Sequence, residues 1–190
     1  MVAERRRAPR RPPPRRRARQ SGSAFRVGCG FDLHPVAAGR RLVLGGVRVR
    51  AAAGLSGHSD ADVLAHAVCD ALLGAAGLPD MGLRFPDTDP RHRGRSSLDF
   101  LRDVMREIRR RGFRIGNLDA VLLADRPRLR PHLHEMRRRL AAALGCAPAD
   151  LSLKAKRAEG LGAVGRGEGM AAQAVVLLVR EAPSAERASR

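Results

Sequence analysis

The sequence contains no Trp, no Tyr and only five Phe among 190 residues. An aromatic platform that stacks nucleic-acid bases is thereby excluded, because such a surface needs several ring faces. Leu, Val, Ala and Ile must fill the core that a 44% apolar composition permits. Cysteine is nearly as scarce. Cys29, Cys69 and Cys146 are odd in number and lack CxxC spacing, which speaks against a disulfide framework and a Cys-rich zinc module; all three are read as reduced thiols. No stretch approaches the roughly 18 apolar residues of a membrane span, and no apolar segment follows the basic N-terminus as a signal peptide requires. A soluble, cytoplasmic chain with no membrane partner is expected. At 20.5 kDa it suits one domain with a tail.

Acidic residues are also few, 19 against 37 Lys and Arg, for a net charge of +18. Its distribution decides what it means. Residues 1–20 hold nine Arg and one Glu, so they carry +8 of that total. Four Pro and almost no apolar side chains stand among them, too little surface to offset the entropy of ordering, so 1–24 is expected to be disordered. A solvated extension is the plain reading of this tail, and an electrostatic tether to RNA or anionic lipid the sharper one. A transit peptide fits less well, since Ser is scarce and Pro abundant. Apart from this tail, nucleic acid is not an expected partner.

The folded domain is expected over 25–181, followed by a disordered tail over 182–190. Val27–His34 and Leu42–Val49 read as strands, the second interrupted by Gly45-Gly46 as at a bulge or bend. Ser59 has the character of an N-cap, with Asp62 three residues on, opening a helix to about Gly74. Leu98, Leu101, Met105 and Ile108 recur at helical spacing before Gly112. Strand Ile115–Ala124, helix Pro131–Leu144, strand Leu151–Ala155 and a buried strand Met170–Val179 complete the order ββααβαββ. That order predicts a mixed α/β (α+β) domain whose helices cover at least one sheet face.

The chemistry begins at Asp32 and His34, which project from one side of a strand because residues two apart share a face. They form half a metal site. A third ligand is offered by His66, which shares a helix face with Asp62 and Asp70 at four-residue steps. Asp-His-His suits Zn²⁺ with one position open, the catalytic arrangement, and Asp62 and Asp70 are candidates to orient His66. Taken singly, each piece is equally well a hydrogen-bonded strand end or a satisfied histidine. Phe85-Pro86-Asp87-Thr88-Asp89-Pro90, preceded by Asp80-Met81-Gly82, reads as an Asx-turn loop or as a rim presenting carboxylates to hydroxyls. The glycine-rich run 160–169 behind Lys154, Lys156 and Arg157 reads as a flexible loop or a phosphate cradle, without Walker or dinucleotide spacing.

Together and in this order, GCGFDLHP (28–35), GHSDADVLAHAVCDALLGAAGLPDMG (57–82), FPDTDP (85–90), ADRPRLRPH (124–132) and GRGEG (165–169) resemble the 2-C-methyl-D-erythritol 2,4-cyclodiphosphate synthase family across roughly 26–180. The resemblance implies a homotrimer with sites between neighbours. It implies one Zn²⁺ per subunit on Asp32, His34 and His66, and a second divalent cation, Mg²⁺ or Mn²⁺, carried over onto Glu159. The implied substrate is 4-diphosphocytidyl-2-C-methyl-D-erythritol 2-phosphate, a cytidine diphosphate compound, with CMP released in isoprenoid biosynthesis. His58 and Ser59 would hold the attacking phosphate at a helix N-terminus, His58 as a catalytic group. Asp80, Met81, Gly82 and the loop Phe85, Pro86, Asp87, Thr88, Asp89 would grip the polyol. A neighbour's Ala124, Pro127, Leu129, Arg130, Ala155, Lys156, Arg157, Ala158 and Glu159, with Ala163 and Arg166, would form the cytidine and phosphate pocket.

Several positions depart from the family pattern. Lys156-Arg157-Ala158 replaces a run of threonines, one of which is expected to bond the phosphates in the transition state. Arg157 either supplies a charge-assisted substitute, as a catalytic group, or crowds the pocket. Ala163 stands where an aromatic is common, Arg130 where an apolar residue is common, and Cys29 replaces a frequent His. The competing classes are a zinc phosphohydrolase of another substrate and a basic RNA-binding protein built on the same scaffold.

Overall fold

A computed structural model describes residues 23–181, so nearly all of the tail 1–24 and all of 182–190 lie outside the described residues. The expected mixed α/β domain is present. Strand β1 (Phe25–Ala38) runs antiparallel to a long last strand, β7 (Gly169–Arg180), which in turn pairs antiparallel with β5 (Phe113–Leu123). β6 (Leu151–Lys156) joins β5 in parallel, and β4 (Ala53–Leu55) closes the other edge against β1, for a sheet order β4-β1-β7-β5-β6. Helices α1 (Val63–Ala76), α3 (Ser97–Arg110) and α4 (Leu133–Leu144) pack on one face of this sheet. Two short helices complete the domain, α2 (Met81–Arg84) and α5 (Gly162–Gly165). Among the described residues no helix is long and apolar enough to cross a membrane.

The seat of α1 on β1 follows from side chains that are missing. Gly28 and Gly30 face the helix, and a Cβ added at either would lie 2.0 or 2.1 Å from the carbonyl oxygen of Ala71 or Ala67. Ala65, Ala67, Ala71 and Ala75 on the helix are all buried. Small residues on both partners therefore let backbone approach backbone, and packing at interior density leaves no slack for a methyl group. The alternation of β1 then puts Asp32 and His34 on this same helix-facing side, while Val27, Phe31 and Leu33 stand exposed on the other.

Two expected features are corrected. Leu42–Val49 is not one bent strand: Leu42–Leu44 (β2) and Val47–Val49 (β3) form an antiparallel hairpin across Gly45-Gly46. Both glycines have positive φ, 56° and 74°, which suits the two-residue turns whose twist matches a hairpin. Nor is Ser59 the cap of α1. That cap is Asp62, whose carboxylate accepts from Ala65 N at 3.0 Å and also from Gly45 N (2.8 Å) and Gly46 N (2.6 Å). One buried side chain thus ties the hairpin turn to the start of α1. Burial, with the Asp60 charge beside it, pushes this carboxyl up to about 6 in spite of the three N–H donors.

The remaining elements agree closely with expectation. Leu98, Leu101, Met105 and Ile108 are buried along α3, and Gly145 caps α4 in the left-handed region. α4 starts two residues later than expected because Pro131 belongs to a preceding 3₁₀ turn. Cys69 is buried, Cys29 exposed and Cys146 half-buried, all as free thiols. β4, α2 and α5, of three or four residues each, carry no periodic signal long enough to read.

The β1–α1 contact yields a stability prediction. Gly30→Ala forces a methyl group into the Ala67 carbonyl, so urea denaturation is expected to show a loss of roughly 3 kcal/mol, the upper part of the usual range for overpacking. A midpoint equal to that of the unaltered chain would show that α1 shifts freely.

Candidate metal centre and its cavity

Where β1 meets α1, Asp32 Oδ2 lies 2.7 Å from His34 Nε2 and 3.1 Å from His66 Nδ1, and the two imidazole nitrogens are 3.1 Å apart. These three are the one group among the described residues able to hold a metal ion. Each ring turns its other nitrogen away. His34 Nδ1 bonds the Ser56 carbonyl at 2.6 Å, and His66 Nε2 faces Ser97 Oγ at 2.8 Å. Burial raises the Asp32 carboxyl, but hydrogen bonds and charge from both imidazoles outweigh it and hold the group well below the usual carboxylate range. Burial likewise works against a proton on His34, and Asp32 overcomes it, so His34 is raised. Ligand atoms around a tetrahedral ion sit roughly 3.3 Å apart, so the cluster fits a divalent metal with a shift of a few tenths of an ångström.

The cluster opens into a cavity of about 440 Å³ that His58, Ser59, Asp70, Met81, Gly82, Phe85 and Asp87 also line. The two ends of the sequence pattern, His-Ser-Asp and Phe-Pro-Asp, are thus brought to one place. His58 lines this cavity, and its Nε2 is buried with no hydrogen-bond partner. Phe85, His92 and Phe100 pack as an aromatic trio with ring centroids 4.7–5.6 Å apart and form an apolar part of the lining.

Several expected roles fall elsewhere. Ser59 is buried ahead of the helix, and its hydroxyl accepts from Ala61 N and lies 3.1 Å from His66 Nε2. Asp62 and Asp70 do not orient His66: the first is spent on the α1 cap and the hairpin turn, the second accepts from Met81 N at 2.8 Å. Asp80 caps α2 through Leu83 N, and Asp89 caps the turn at Pro90 and pairs with Arg91. Pro86 is half-buried, and Thr88 is exposed with no role assigned by its contacts.

Ala124, Pro127, Leu129, Arg130, Ala155, Lys156 and Arg157 do not reach the cluster. They line a different cavity at the ends of β5 and β6. Arg157 is 57% exposed there, its guanidinium 3.5 Å from Asp125 Oδ2, and Ala158 follows half-buried. Arg166, paired with Glu168, lines a neighbouring cavity that shares Arg157, while Ala163 is exposed on α5. Glu159 is exposed with a φ of 51°, and no second group of metal-ligating residues gathers around it among the described residues.

Sequence reasoning passed over three residues that shape the site. Arg40 donates to the carbonyls of Leu55, Gly57 and Ser59 and so pins the loop that carries His58. Asp60 and Ser97 stand behind His66. Their partners are backbone carbonyls or side chains distant in the chain, and no spacing announces such contacts.

The fold and site are those of a mixed α/β domain with an Asp-His-His group at a strand–helix junction that could hold a metal ion. The sequence model of the YgbB family matches residues 25–179. Curated relatives include the bifunctional enzyme IspD/IspF of Anaeromyxobacter dehalogenans, 57% identical over 82% of this chain and 40% of its own length. The 2-C-methyl-D-erythritol 2,4-cyclodiphosphate synthase of Moorella thermoacetica is 54% identical over 83% of this chain and 98% of its own. Among solved structures, the IspF of Plasmodium falciparum in complex with CDP superposes with a TM-score of 0.75 at 28% identity, covering 85% of this chain and all of its own. The chain spans about two-fifths of the bifunctional relatives and nearly the whole of the others. It belongs to the YgbB family, that of the 2-C-methyl-D-erythritol 2,4-cyclodiphosphate synthases.

If the three ligand atoms hold one ion, His66→Ala removes a donor whose loss cannot be made good locally. Elemental analysis is expected to find less than a tenth of the divalent metal carried by the unaltered chain. A full equivalent retained by the variant would remove His66 from the site.

Proposed function

We propose that this chain converts 4-diphosphocytidyl-2-C-methyl-D-erythritol 2-phosphate to 2-C-methyl-D-erythritol 2,4-cyclodiphosphate with release of CMP, as an enzyme of isoprenoid biosynthesis. The observation that carries this reading is one cavity lined by both the three-donor cluster and His58, in a chain 54% identical to a synthase over 98% of that protein's length. The CDP complex of the Plasmodium falciparum relative supports a cytidine diphosphate ligand.

In the proposed reaction an oxygen of the 2-phosphate attacks the β-phosphorus, the bond from that phosphorus to the bridging oxygen breaks, and CMP leaves with the electron pair. The nucleophile is already an anion, so positioning and charge neutralisation dominate over base catalysis. Asp32, His34 and His66 would hold a divalent cation such as Zn²⁺, which when bound would supply Lewis-acid chemistry to the diphosphate. His58 and the buried Ser59 beside it line the wall proposed to hold the attacking phosphate. Met81, Gly82, Phe85 and Asp87 hold the polyol against the aromatic trio. Glu159 is the proposed holder of a second cation, Mg²⁺ or Mn²⁺, brought with the diphosphate.

The groups proposed for cytidine and the phosphates, Ala124–Arg130 and Ala155–Arg157, lie in a cavity separate from the cluster within one chain. The uncovered side of β1 and β7 is apolar, with Val27 and Phe31 both more than 60% exposed and Leu33 and Val175 beside them. An exposed apolar surface of this kind marks an association face. Both features support a homotrimer whose neighbours complete each site.

Incubation with the authentic substrate is expected to yield CMP and the cyclic diphosphate in equal amounts. An open diphosphate as the product would make the protein a phosphohydrolase instead. Light scattering at active concentrations is expected to give three times 20.5 kDa, and full activity in a monomer would end the shared-site reading.

Arg157 is proposed to bond the phosphates as charge develops. Arg157→Ala is expected to lower kcat roughly a hundredfold, about 3 kcal/mol, with a smaller rise in KM. Higher activity in Arg157→Thr would instead show that the longer side chain crowds the pocket. Unchanged kcat in both would leave the guanidinium in solvent, with Asp125.

A further inference from the structure

Helix α3 starts without a cap of its own, since Ser96 at the cap position makes no side-chain bond. Asp60, from the loop ahead of α1, takes that place. Its carboxylate accepts the backbone N–H of Ser97 at Oδ2, 3.0 Å away, and the Ser97 hydroxyl at Oδ1. A carboxylate is well placed there because the first N–H groups of a helix are unpartnered and its dipole favours a negative charge.

A hydroxyl carries one proton. With that proton given to Asp60, Ser97 Oγ has only lone pairs to offer, and His66 Nε2 stands 2.8 Å from it. Nε2 must therefore carry hydrogen and donate. Nδ1, the atom that faces Asp32 and His34, is then left with the lone pair once a cation replaces the proton that this atom shares with the Asp32 carboxylate. Ser97 is 1% exposed, so bulk water does not replace the contact. His34 likewise donates from the nitrogen that faces away from the cluster, because the Ser56 carbonyl beside its Nδ1 can only accept.

We propose that Asp60 and Ser97 are positioning residues that lock His66 in its Nε2–H tautomer and so keep a lone pair aimed at the metal cluster. Their chain of two hydrogen bonds also joins α1 to α3, so that the helix whose N-terminus Asp60 caps holds the ligand's proton in place. Ser59 Oγ, 3.1 Å from the same nitrogen, is free to donate a proton to it. Removing the Ser97 hydroxyl therefore admits the opposite tautomer, with Nδ1 protonated and unable to bind a metal. The inference rests on the metal reading of the cluster, and the tautomer itself can be read without any metal.

The test uses the full chain in two measurements. Imidazole ¹⁵N shifts of the metal-free protein, taken above the titration range of histidine, are expected to show His66 as one Nε2–H species. Ser97→Ala should show both tautomers, and competition against a chromophoric chelator should give Zn²⁺ affinity weaker by roughly 10- to 100-fold. Ser97→Thr, which keeps the hydroxyl, should restore both readouts, and Asp60→Ala should reproduce the mixed tautomer by freeing the Ser97 proton. A single unchanged tautomer or unchanged zinc affinity in Ser97→Ala overturns the proposal. So does a Thr variant as impaired as the Ala variant, because packing and not the hydroxyl would then be responsible. An unaltered chain that binds no zinc overturns the metal reading, while the tautomer populations still decide the role of Ser97.

Discussion

The contact on which the rest of the structure depends is the close approach of α1 to β1. Gly28 and Gly30 present no side chain, and the alanines of α1 present almost none, so the helix lies against the strand backbone. His66, one turn into that helix, is thereby carried within hydrogen-bond distance of Asp32 on the strand. With ordinary side chains between them the two elements would separate by ångströms, and three ligand atoms could not converge. A core made of small aliphatic residues is thus also the device that brings the three candidate ligands together.

The carboxylates around the cavity divide the work. Asp62, Asp70, Asp80 and Asp89 each accept backbone N–H groups at the starts of helices or turns, and Asp60 does so for α3. They hold the loops 56–62 and 80–92 in shape, where few apolar side chains are available to do so. Asp32 turns one oxygen to Leu33 N and leaves the other to the two imidazoles. A dense acidic sequence therefore yields one carboxylate placed to ligate a metal and a set of backbone clamps. The clamps decide where His58 and the ligand rings point.

A single chain presents its two sets of predicted binding residues in separate cavities, and on the side of β1 and β7 opposite the helices Val27, Phe31, Leu33 and Val175 are exposed. A largely antiparallel sheet can leave one face to water, so it is the exposed apolar side chains, and not the open face as such, that mark a surface suited to association. The proposed homotrimer would cover those side chains and bring the second set of residues to each cluster from a neighbour.

By itself the sequence determined the mixed α/β class, the burial of the α3 stripe, and the pairing of Asp32 with His34. Each depends on a period of 2 or 3.6 residues, which local geometry imposes whatever the rest of the chain does. The motif order from GCGFDLHP to GRGEG was legible too, and it pointed to the family that the matches to whole-length synthases bear out. The tertiary structure decided what the polar residues do. Ser59 has the look of a cap yet lies buried beside His66, because Asp62 can reach both Ala65 N and the Gly45-Gly46 turn while Ser59 reaches neither. Ser97 carried no signal, since its partners lie 31 and 37 residues away and a hydrogen bond across that separation leaves no period to read. Side-chain oxygens and nitrogens choose among several partners within 3 Å, and only the folded arrangement of helices settles which partner is there.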